Sequence, residues 1–301
     1  MSQPIHLPPR LCGKPTRRVT VRLAVALCAG ISAVPGAVPG AVPAAVQATL
    51  ANPAGIDWAR IGSGAAAFDI ARTETTVGQF RRFVQATGTV TRAERAGGGE
   101  VYEAGWTRKP GWVWSAPFGV SGVPGVPGAP AGQRNPTQDD EPAVHVSFDE
   151  AQTFCRWAGG RLPTDAQWVS AAYTEQREQP PAPFQRGKTY PYPAGDSPAG
   201  AQCLGDCGPQ AEQRAIRHGA ALLRGFGHAR AGATPAGVNG LHDMGANAWE
   251  WVDEPPGARG NEERRTRGGS WWYGAAQMRA DHLQGKPPQT AVVYIGFRCA
   301  R

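Results

Sequence analysis

The C-terminal stretch of the chain, residues 267–298, has the sequence RGGSWWYGAAQMRADHLQGKPPQTAVVYIGFR, and Cys299 follows it directly. Two glycines before a serine and three aromatic residues indicate backbone that needs positive φ or that approaches another group closely. The β-branched and aromatic run over residues 292–295 predicts a strand. Residue chemistry alone therefore indicates a tight turn followed by a buried strand.

Three capping boxes upstream of this stretch predict the starts of three helices. In each box a hydroxyl residue precedes Glu or Gln by three positions, and the pairs are Thr76 with Gln79, Ser147 with Glu150, and Thr164 with Gln167. Gly88 should end the first helix, and the Gly159-Gly160 pair should end the second. Residues 68–71 alternate in character and predict a strand. The chain is thus expected to mix helices and strands.

Four stretches, in the same order along the chain, resemble the formylglycine-generating enzyme family, also called the sulfatase-modifying factors. They are ETTVGQFRRFV at 74–84, PAVHVSFDEAQTFCRWAGGRLPTDAQWVSAA at 142–172, GLHDMGANAWEW at 240–251, and the C-terminal RGGSW with IGFRC. The resemblance implies an α+β fold, C-type-lectin-like and loop-rich, in a single domain over residues 68–301. Residues 49–67 are expected to form an irregular segment before it. Because one fold serves many activities, function has to be argued from the site.

The first 48 residues have the pattern of an export signal. A basic region precedes an apolar stretch from Leu23 to about Val34, and Val46-Gln47-Ala48 suits cleavage after Ala48. The apolar stretch is shorter than the ~20 residues that a membrane span needs, so no span is expected after cleavage. Residues 16–22 partly resemble a twin-arginine signal, which leaves the export route open. The expected location is periplasmic or secreted.

The charge balance argues against a nucleic-acid partner. The chain has 31 Lys and Arg against 24 Asp and Glu, a formal net charge of +7. Five of the basic residues and none of the acidic ones lie within residues 1–48, which leaves 26 basic and 24 acidic residues, a net charge of +2. The basic excess therefore belongs to the signal, and no nucleic-acid binding is expected. The 40 glycines and 28 prolines indicate a loop-rich fold.

Four cysteines follow the predicted cleavage site, and they are Cys155, Cys203, Cys207 and Cys299. An even number in an exported chain predicts disulfides. Cys203 and Cys207 are close enough for a local disulfide, whereas a metal site would need two further ligands. In exported family members the counterparts of Cys155 and Cys299 are joined, so the resemblance implies the same disulfide here. Two buried free thiols are the alternative.

The segment from Asp243 to Glu250 is the best candidate for a metal site. Two carboxylates seven residues apart, with small residues between them, could direct oxygen atoms onto one hard cation such as calcium. The family binds calcium in this segment, which implies carboxylates from Asp243 and Glu250 and carbonyls from Ala246 and Ala248. A structural calcium ion is therefore expected. The alternative is a capped loop with solvated carboxylates.

The family's catalytic cysteines are replaced in this chain. Family members bind copper(I) through two cysteines, three and eight residues after the serine of the Gly-Gly-Ser turn, and oxidise a substrate cysteine with oxygen. Those positions are Tyr273 and Met278 here, and neither side chain supplies the thiolate that copper(I) prefers. Copper is therefore not expected. Iron-dependent relatives use a separate histidine-rich helical domain. This chain has only six histidines and no such array, so that domain is not expected.

A groove for an aromatic or peptidic ligand is expected around the C-terminal turn. Its candidate residues are Trp249, Ser270, Trp271, Trp272, Tyr273, Arg279, Asp281 and His282. Asp281 and His282 could serve acid–base chemistry. Neighbouring residues on a strand point to opposite faces, however, so these two side chains need not meet. The tryptophans of residues 89–117 either line the groove, as in relatives, or cover the core.

These features lead to two hypotheses from different classes. The first is a divergent oxidase, or a maturation factor for an exported protein or metabolite, similar to the periplasmic relatives that mature the pyoverdine chromophore without the cysteine pair. The second is a non-catalytic module that binds a ligand or a protein on the same fold. The absent cysteines favour the second hypothesis, while the aromatic groove suits both. Whether the chain is an enzyme, its substrate and its oligomeric state stay open.

Overall fold

The computed structural model describes residues 52–119, 137–216, 222–254 and 263–301. The predicted export signal lies outside these residues and stays a prediction. The described residues belong to one compact unit with eight strands and five α-helices. The strands are β1 (Trp58–Ile61), β2 (Phe68–Ala71), β3 (Glu100–Tyr102), β4 (Trp106–Arg108), β5 (Trp249–Val252), β6 (Arg264–Arg267), β7 (Gln284–Lys286) and β8 (Ile295–Gly296). The helices are α1 (Val77–Thr87), α2 (Arg92–Arg95), α3 (Phe148–Trp157), α4 (Asp165–Tyr173) and α5 (Gln210–Arg214).

The strands form two hairpins and one four-stranded sheet. β1 pairs antiparallel with β2, and β3 pairs antiparallel with β4. The larger sheet has the order β7-β6-β5-β8, in which only the β5–β8 pair is parallel. Short strands joined by long connections give the mixed, loop-rich α+β architecture that the sequence predicts.

Two expectations about the strands need correction. Residues 49–67 are not irregular throughout, because β1 lies there and its Ala59 and Ile61 alternate inward, as strand periodicity requires. The strand predicted over residues 292–295 is confined to β8, which begins at Ile295. Val292 bridges to Glu100, whereas Ile295 pairs with Trp249. The chain thus changes partner within the apolar run, and no continuous ladder forms.

The three capping boxes are confirmed as helix starts. At α1, the Gln79 N–H donates to Thr76 Oγ1 at 3.2 Å, and the Thr76 N–H donates to Gln79 Oε1 at 3.0 Å. The same reciprocal arrangement begins α3 and α4. Gly88 ends α1 with φ of 68°, a left-handed conformation that glycine adopts without steric cost.

Both predicted disulfides are present. Cys155 on α3 bonds to Cys299 after β8, with 5.5 Å between the Cα atoms and 144 residues of separation. The pairing implied by the family resemblance is therefore confirmed, and the free-thiol alternative is wrong. Cys203 bonds to Cys207, only four residues away. The first bond joins a helix to the C-terminus, while the second closes a local loop.

Aromatic side chains dominate the core. Six tryptophans are fully buried, and they are Trp112, Trp168, Trp249, Trp251, Trp271 and Trp272. Within residues 89–117, Trp112 and Trp114 belong to the core, but Trp106 on β4 is 52% exposed. The core interpretation is thus correct for two of these tryptophans and wrong for the third. Among the described residues, none of the helices is long and apolar enough to cross a membrane.

Candidate functional site

The Gly-Gly-Ser turn connects β6 to the aromatic run and is bound to the loop before β5. Gly268 and Gly269 have φ of 96° and 81°, as their sequence predicts. A Cβ atom on Gly268 would lie 2.9 Å from the Met244 carbonyl oxygen, so this position requires glycine. The Gly268 carbonyl accepts from the Ala246 N–H at 2.7 Å, and the Trp271 N–H donates to the Asn247 carbonyl at 3.0 Å. The turn therefore holds the aromatic run in place.

Five rings form what we term the aromatic groove, and they belong to Trp249, Trp272, Tyr273, His282 and Tyr294. The Trp249 ring centroid lies 5.9 Å from that of Tyr273 and 5.7 Å from that of His282. Tyr294 stacks on Trp272 at 5.8 Å and meets Tyr273 edge-on at 6.0 Å. Trp249 and Trp272 are buried, whereas Tyr273 and His282 are half-buried. The latter two side chains thus form the accessible part of the set.

Burial disfavours the charged form of two titratable groups in the groove, Tyr294 and His282. Burial raises the pKa of Tyr294 well above its ordinary value, and the Tyr273 side chain raises it further. Burial lowers the pKa of His282, although Asp281 opposes the shift. Three buried nitrogens have no hydrogen-bond partner among the described residues, namely Nε1 of Trp249, Nε1 of Trp272 and Nε2 of His282. The groove therefore has polar atoms that no described residue satisfies.

The other predicted groove residues lie elsewhere. Ser270 is buried, and its Oγ accepts from the Trp272 N–H at 3.3 Å, which makes it part of the turn. Trp271 is buried in the core, edge-on to Trp272. Asp281 is 78% exposed and lies 3.6 Å from Arg279, so these two form a surface ion pair. The His282 ring faces Trp249, and Asp281 is close enough to raise its pKa against the effect of burial.

The two positions that carry cysteine in the family have different surroundings. Tyr273 faces the groove, while Met278 is 1% exposed. Met278 packs in an apolar cluster with both cysteines of the Cys203–Cys207 disulfide. All four cysteines among the described residues are disulfide-bonded, so these residues offer no thiolate to a soft metal ion.

The carboxylates predicted to bind calcium already have donors within the protein. Asp243 Oδ1 accepts from Thr234 Oγ1 at 2.6 Å. Glu250 pairs with Arg298, with Nη2 2.7 Å from Oε1 and Nε 2.7 Å from Oε2, and it also accepts from Trp168 Nε1 at 2.8 Å. Both carboxylates are buried. As they stand, Asp243 and Glu250 are directed at different protein donors.

A third carboxylate, which the sequence analysis missed, lies beside them. Glu74 accepts from Asn247 Nδ2 at 2.6 Å and from the Ala248 N–H at 2.9 Å. Burial raises the pKa of Glu74, as do Asp243 and Glu250, while Arg298 opposes them. Arg298 was missed as well, although a charged residue inside the apolar run before Cys299 is a signal for a buried ion pair.

These contacts bear on whether calcium fits the segment. The donor set is all oxygen, which suits calcium, and the three carboxylates exceed the single guanidinium in charge. However, the described part of the chain has no group of three or more His, Cys, Asp or Glu side chains arranged to hold a metal ion. The arrangement of Asp243, Ala246, Ala248 and Glu250 thus does not form a coordination shell, and calcium stays a prediction.

Comparison with known proteins places the chain among relatives that include both an enzyme and an inactive member. It is 27% identical over 267 residues to the formylglycine-generating enzyme of Thermomonospora curvata, covering 74% of this chain and 78% of that protein. It is 30% identical over 166 residues to the inactive C-alpha-formylglycine-generating enzyme 2 of Bos taurus, covering 53% of this chain and 50% of that protein. The chain thus spans about half the length of the bovine relative.

The fold and the family are supported independently. The crystal structure of CarF has a TM-score of 0.51 and 19% sequence identity, and the match covers 82% of this chain and 98% of that one, which shows a shared fold. The sequence profile of the sulfatase-modifying factor enzyme 1-like domain matches residues 59–301. The chain therefore belongs to the sulfatase-modifying factor family, that of the formylglycine-generating enzymes.

Proposed function

We propose that this chain is an exported member of its family that binds an aromatic or peptidic ligand in the aromatic groove. It acts on that ligand as a divergent oxidase, or as a maturation factor for an exported protein or metabolite. The observation that carries the proposal is the position of Tyr273. This residue replaces the first family cysteine and directs a half-buried phenol ring at Trp249.

The groove offers binding and proton transfer, and no thiolate chemistry. The half-buried rings of Tyr273 and His282 are the members of the groove against which another aromatic ring can pack. Burial lowers the pKa of His282, which favours the neutral imidazole, and its Nε2 has no partner among the described residues. A neutral imidazole can accept a proton from a phenol or an ammonium group. An oxidative step would need molecular oxygen or another electron acceptor.

The alternative is a non-catalytic binding module on the same fold. The observation that favours it is that every described cysteine is in a disulfide, which leaves the family's copper chemistry without ligands. A relative whose name calls it inactive agrees with this alternative. Both proposals predict ligand binding at Tyr273, and they differ in turnover.

Oxygen consumption by the purified full chain distinguishes the two. The substrates are a cysteine-containing sulfatase peptide, with and without copper, and a panel of phenols and catechols. Turnover of the aromatic panel, lost in His282→Gln and reduced in Tyr273→Phe, would support the divergent oxidase. Turnover of the peptide would contradict our interpretation of Tyr273 and Met278. Tight binding without turnover would assign the chain to the binding modules.

Export is part of the proposal and has its own test. Two disulfides support it, because such bonds persist in oxidising compartments. Expression of the full chain in a bacterial host, followed by fractionation, should yield a periplasmic or secreted protein that begins at Thr49. A protein retained in the cytoplasm with its first 48 residues intact would contradict this part of the proposal.

A further inference from the structure

A short segment, residues 222–227, crosses the aromatic run, and we term it the strap. Its Gly225 has φ of 74°, and a Cβ atom there would lie 2.6 Å from Trp271 Cζ3 and 3.1 Å from Trp272 Cε3. The strap backbone thus lies directly against both indoles. Only glycine allows this approach, because any side chain would collide with a ring.

The strap is attached on both sides of Gly225. Leu222 packs against the main core, and the Leu223 N–H donates to Glu103 Oε1 at 3.0 Å. Phe226 packs against the cluster that contains the Cys203–Cys207 disulfide. These contacts determine where the intervening side chain, that of Arg224, can reach.

Arg224 extends over the groove. Its guanidinium carbon lies 5.0 Å from the Trp272 ring centroid and 5.2 Å from that of Tyr273, which are cation–π distances. The residue is exposed. No ion pair joins Arg224 to any carboxylate of the described residues; Glu103, which the strap contacts, is paired with Lys109. A guanidinium keeps its charge and has several N–H donors, so this one can still bind an anion.

The neighbouring polar atoms also suit a ligand that accepts hydrogen bonds. Nε1 of Trp249 and Nε1 of Trp272 lack partners among the described residues, and an indole N–H can only donate. The other cation of this region, Arg279, is already paired with Asp281. Among the described residues, the groove therefore combines aromatic rings, indole donors without a partner and an arginine without an ion pair.

We infer that Arg224 recognises a carboxylate on the aromatic ligand of the groove, so that the site prefers aromatic acids to neutral aromatic compounds. The planar guanidinium matches a carboxylate through two parallel hydrogen bonds. This inference rests on the proposed function, since it assumes that the groove binds an aromatic ligand. It assigns Arg224 a role in specificity, not in the chemical step.

The test compares one aromatic acid with its uncharged derivative. Affinities of the full chain for p-hydroxyphenylacetate and for its methyl ester would be measured by calorimetry. The acid should bind at least about tenfold tighter, in line with a charge-assisted bidentate contact. Arg224→Gln should reduce this ratio to near one, and Arg224→Lys should retain part of it. Arg60→Gln is the matched control, because Arg60 is an exposed arginine on β1 that pairs with Asp69.

Each other outcome decides against the inference. An unchanged ratio in Arg224→Gln would overturn it, and so would equal binding of acid and ester to the unmodified protein. In the second case the groove would still be a ligand site, and the proposed function would stand. Failure of all aromatic and peptide ligands to bind would overturn the proposed function and the role of Arg224 together.

Discussion

Glu250 on β5 and Arg298 after β8 form a fully buried, bidentate ion pair, with both N–O distances at 2.7 Å. The remaining N–H groups of Arg298 donate to the backbone carbonyls of Ala71 and Arg72, and of His242. One guanidinium thus joins the end of β2, the loop before β5 and the C-terminal segment. Trp249 of the aromatic groove precedes Glu250 directly on β5.

Removing one partner of this pair should be costly. Glu250→Gln leaves a buried guanidinium without its counter-charge, and we expect a loss of about 3–5 kcal/mol in the free energy of unfolding. Asp196→Asn removes the exposed Lys188–Asp196 pair and should cost less than about 1 kcal/mol. Urea unfolding of both variants checks the difference. Equal losses would show that the buried pair contributes no more than a surface one.

The two disulfides should stabilise the fold unequally. A crosslink across 144 residues removes more unfolded-state entropy than one across four, and the loop model gives about 5 kcal/mol against about 2 kcal/mol. The double variant Cys155→Ala/Cys299→Ala should therefore unfold at much lower denaturant concentration than Cys203→Ala/Cys207→Ala. Denaturant unfolding under non-reducing conditions measures both midpoints. The reverse order would contradict the loop model here.

His145 should make stability depend on pH. It is buried with φ of 58°, its Nε2 lies 2.9 Å from the Pro117 carbonyl oxygen, and burial lowers its pKa from 6.5 to about 4. Between pH 4 and pH 6.5 the unfolded chain binds a proton at His145 and the folded chain does not, so protonation favours unfolding. The stabilisation is therefore complete above pH 6.5. It is lost as pH falls towards 4, by about 3 kcal/mol in total.

The variant His145→Asn tests this dependence. Asparagine tolerates positive φ and does not titrate in this range. The variant should be less stable at pH 7.5, but its free energy of unfolding should fall less between pH 6.5 and pH 5. Urea unfolding at several pH values provides the comparison. If the free energy of unfolding fell equally with pH in the variant and the unmodified protein, the pH dependence would come from other titratable groups.

Calcium binding predicts sensitivity to chelation. A bound ion stabilises only the folded state, so a chelator should lower the thermal midpoint by about 5 °C for a domain of this size. Asp243→Asn should remove this sensitivity, while Asp196→Asn at the surface should retain it. Calorimetry with and without chelator provides the test. An identical midpoint with and without chelator would contradict calcium binding. The charge of Arg298 and the raised pKa of Glu74 would then account for the tolerance of three neighbouring buried carboxyl groups.

Local interactions were predictable from the sequence because they join residues a few positions apart. The capping boxes bond residues three apart, so their spacing predicts where α1, α3 and α4 begin. The paired glycines before Ser270 predicted the positive φ of the turn. The even number of cysteines predicted disulfides, and the resemblance to the family indicated the long-range pair.

The contacts that define the candidate site were decided only by the tertiary structure. Glu74 and Arg298 are 224 positions apart in the chain, yet burial and charge couple them. The His282 ring meets that of Trp249, 33 positions earlier, because β5 and the segment after β6 fold against each other. Arg224, which lies on the strap, places its guanidinium over the Tyr273 ring. Sequence spacing determines hydrogen bonds along a helix or turn, whereas the path of the whole chain determines which distant side chains meet.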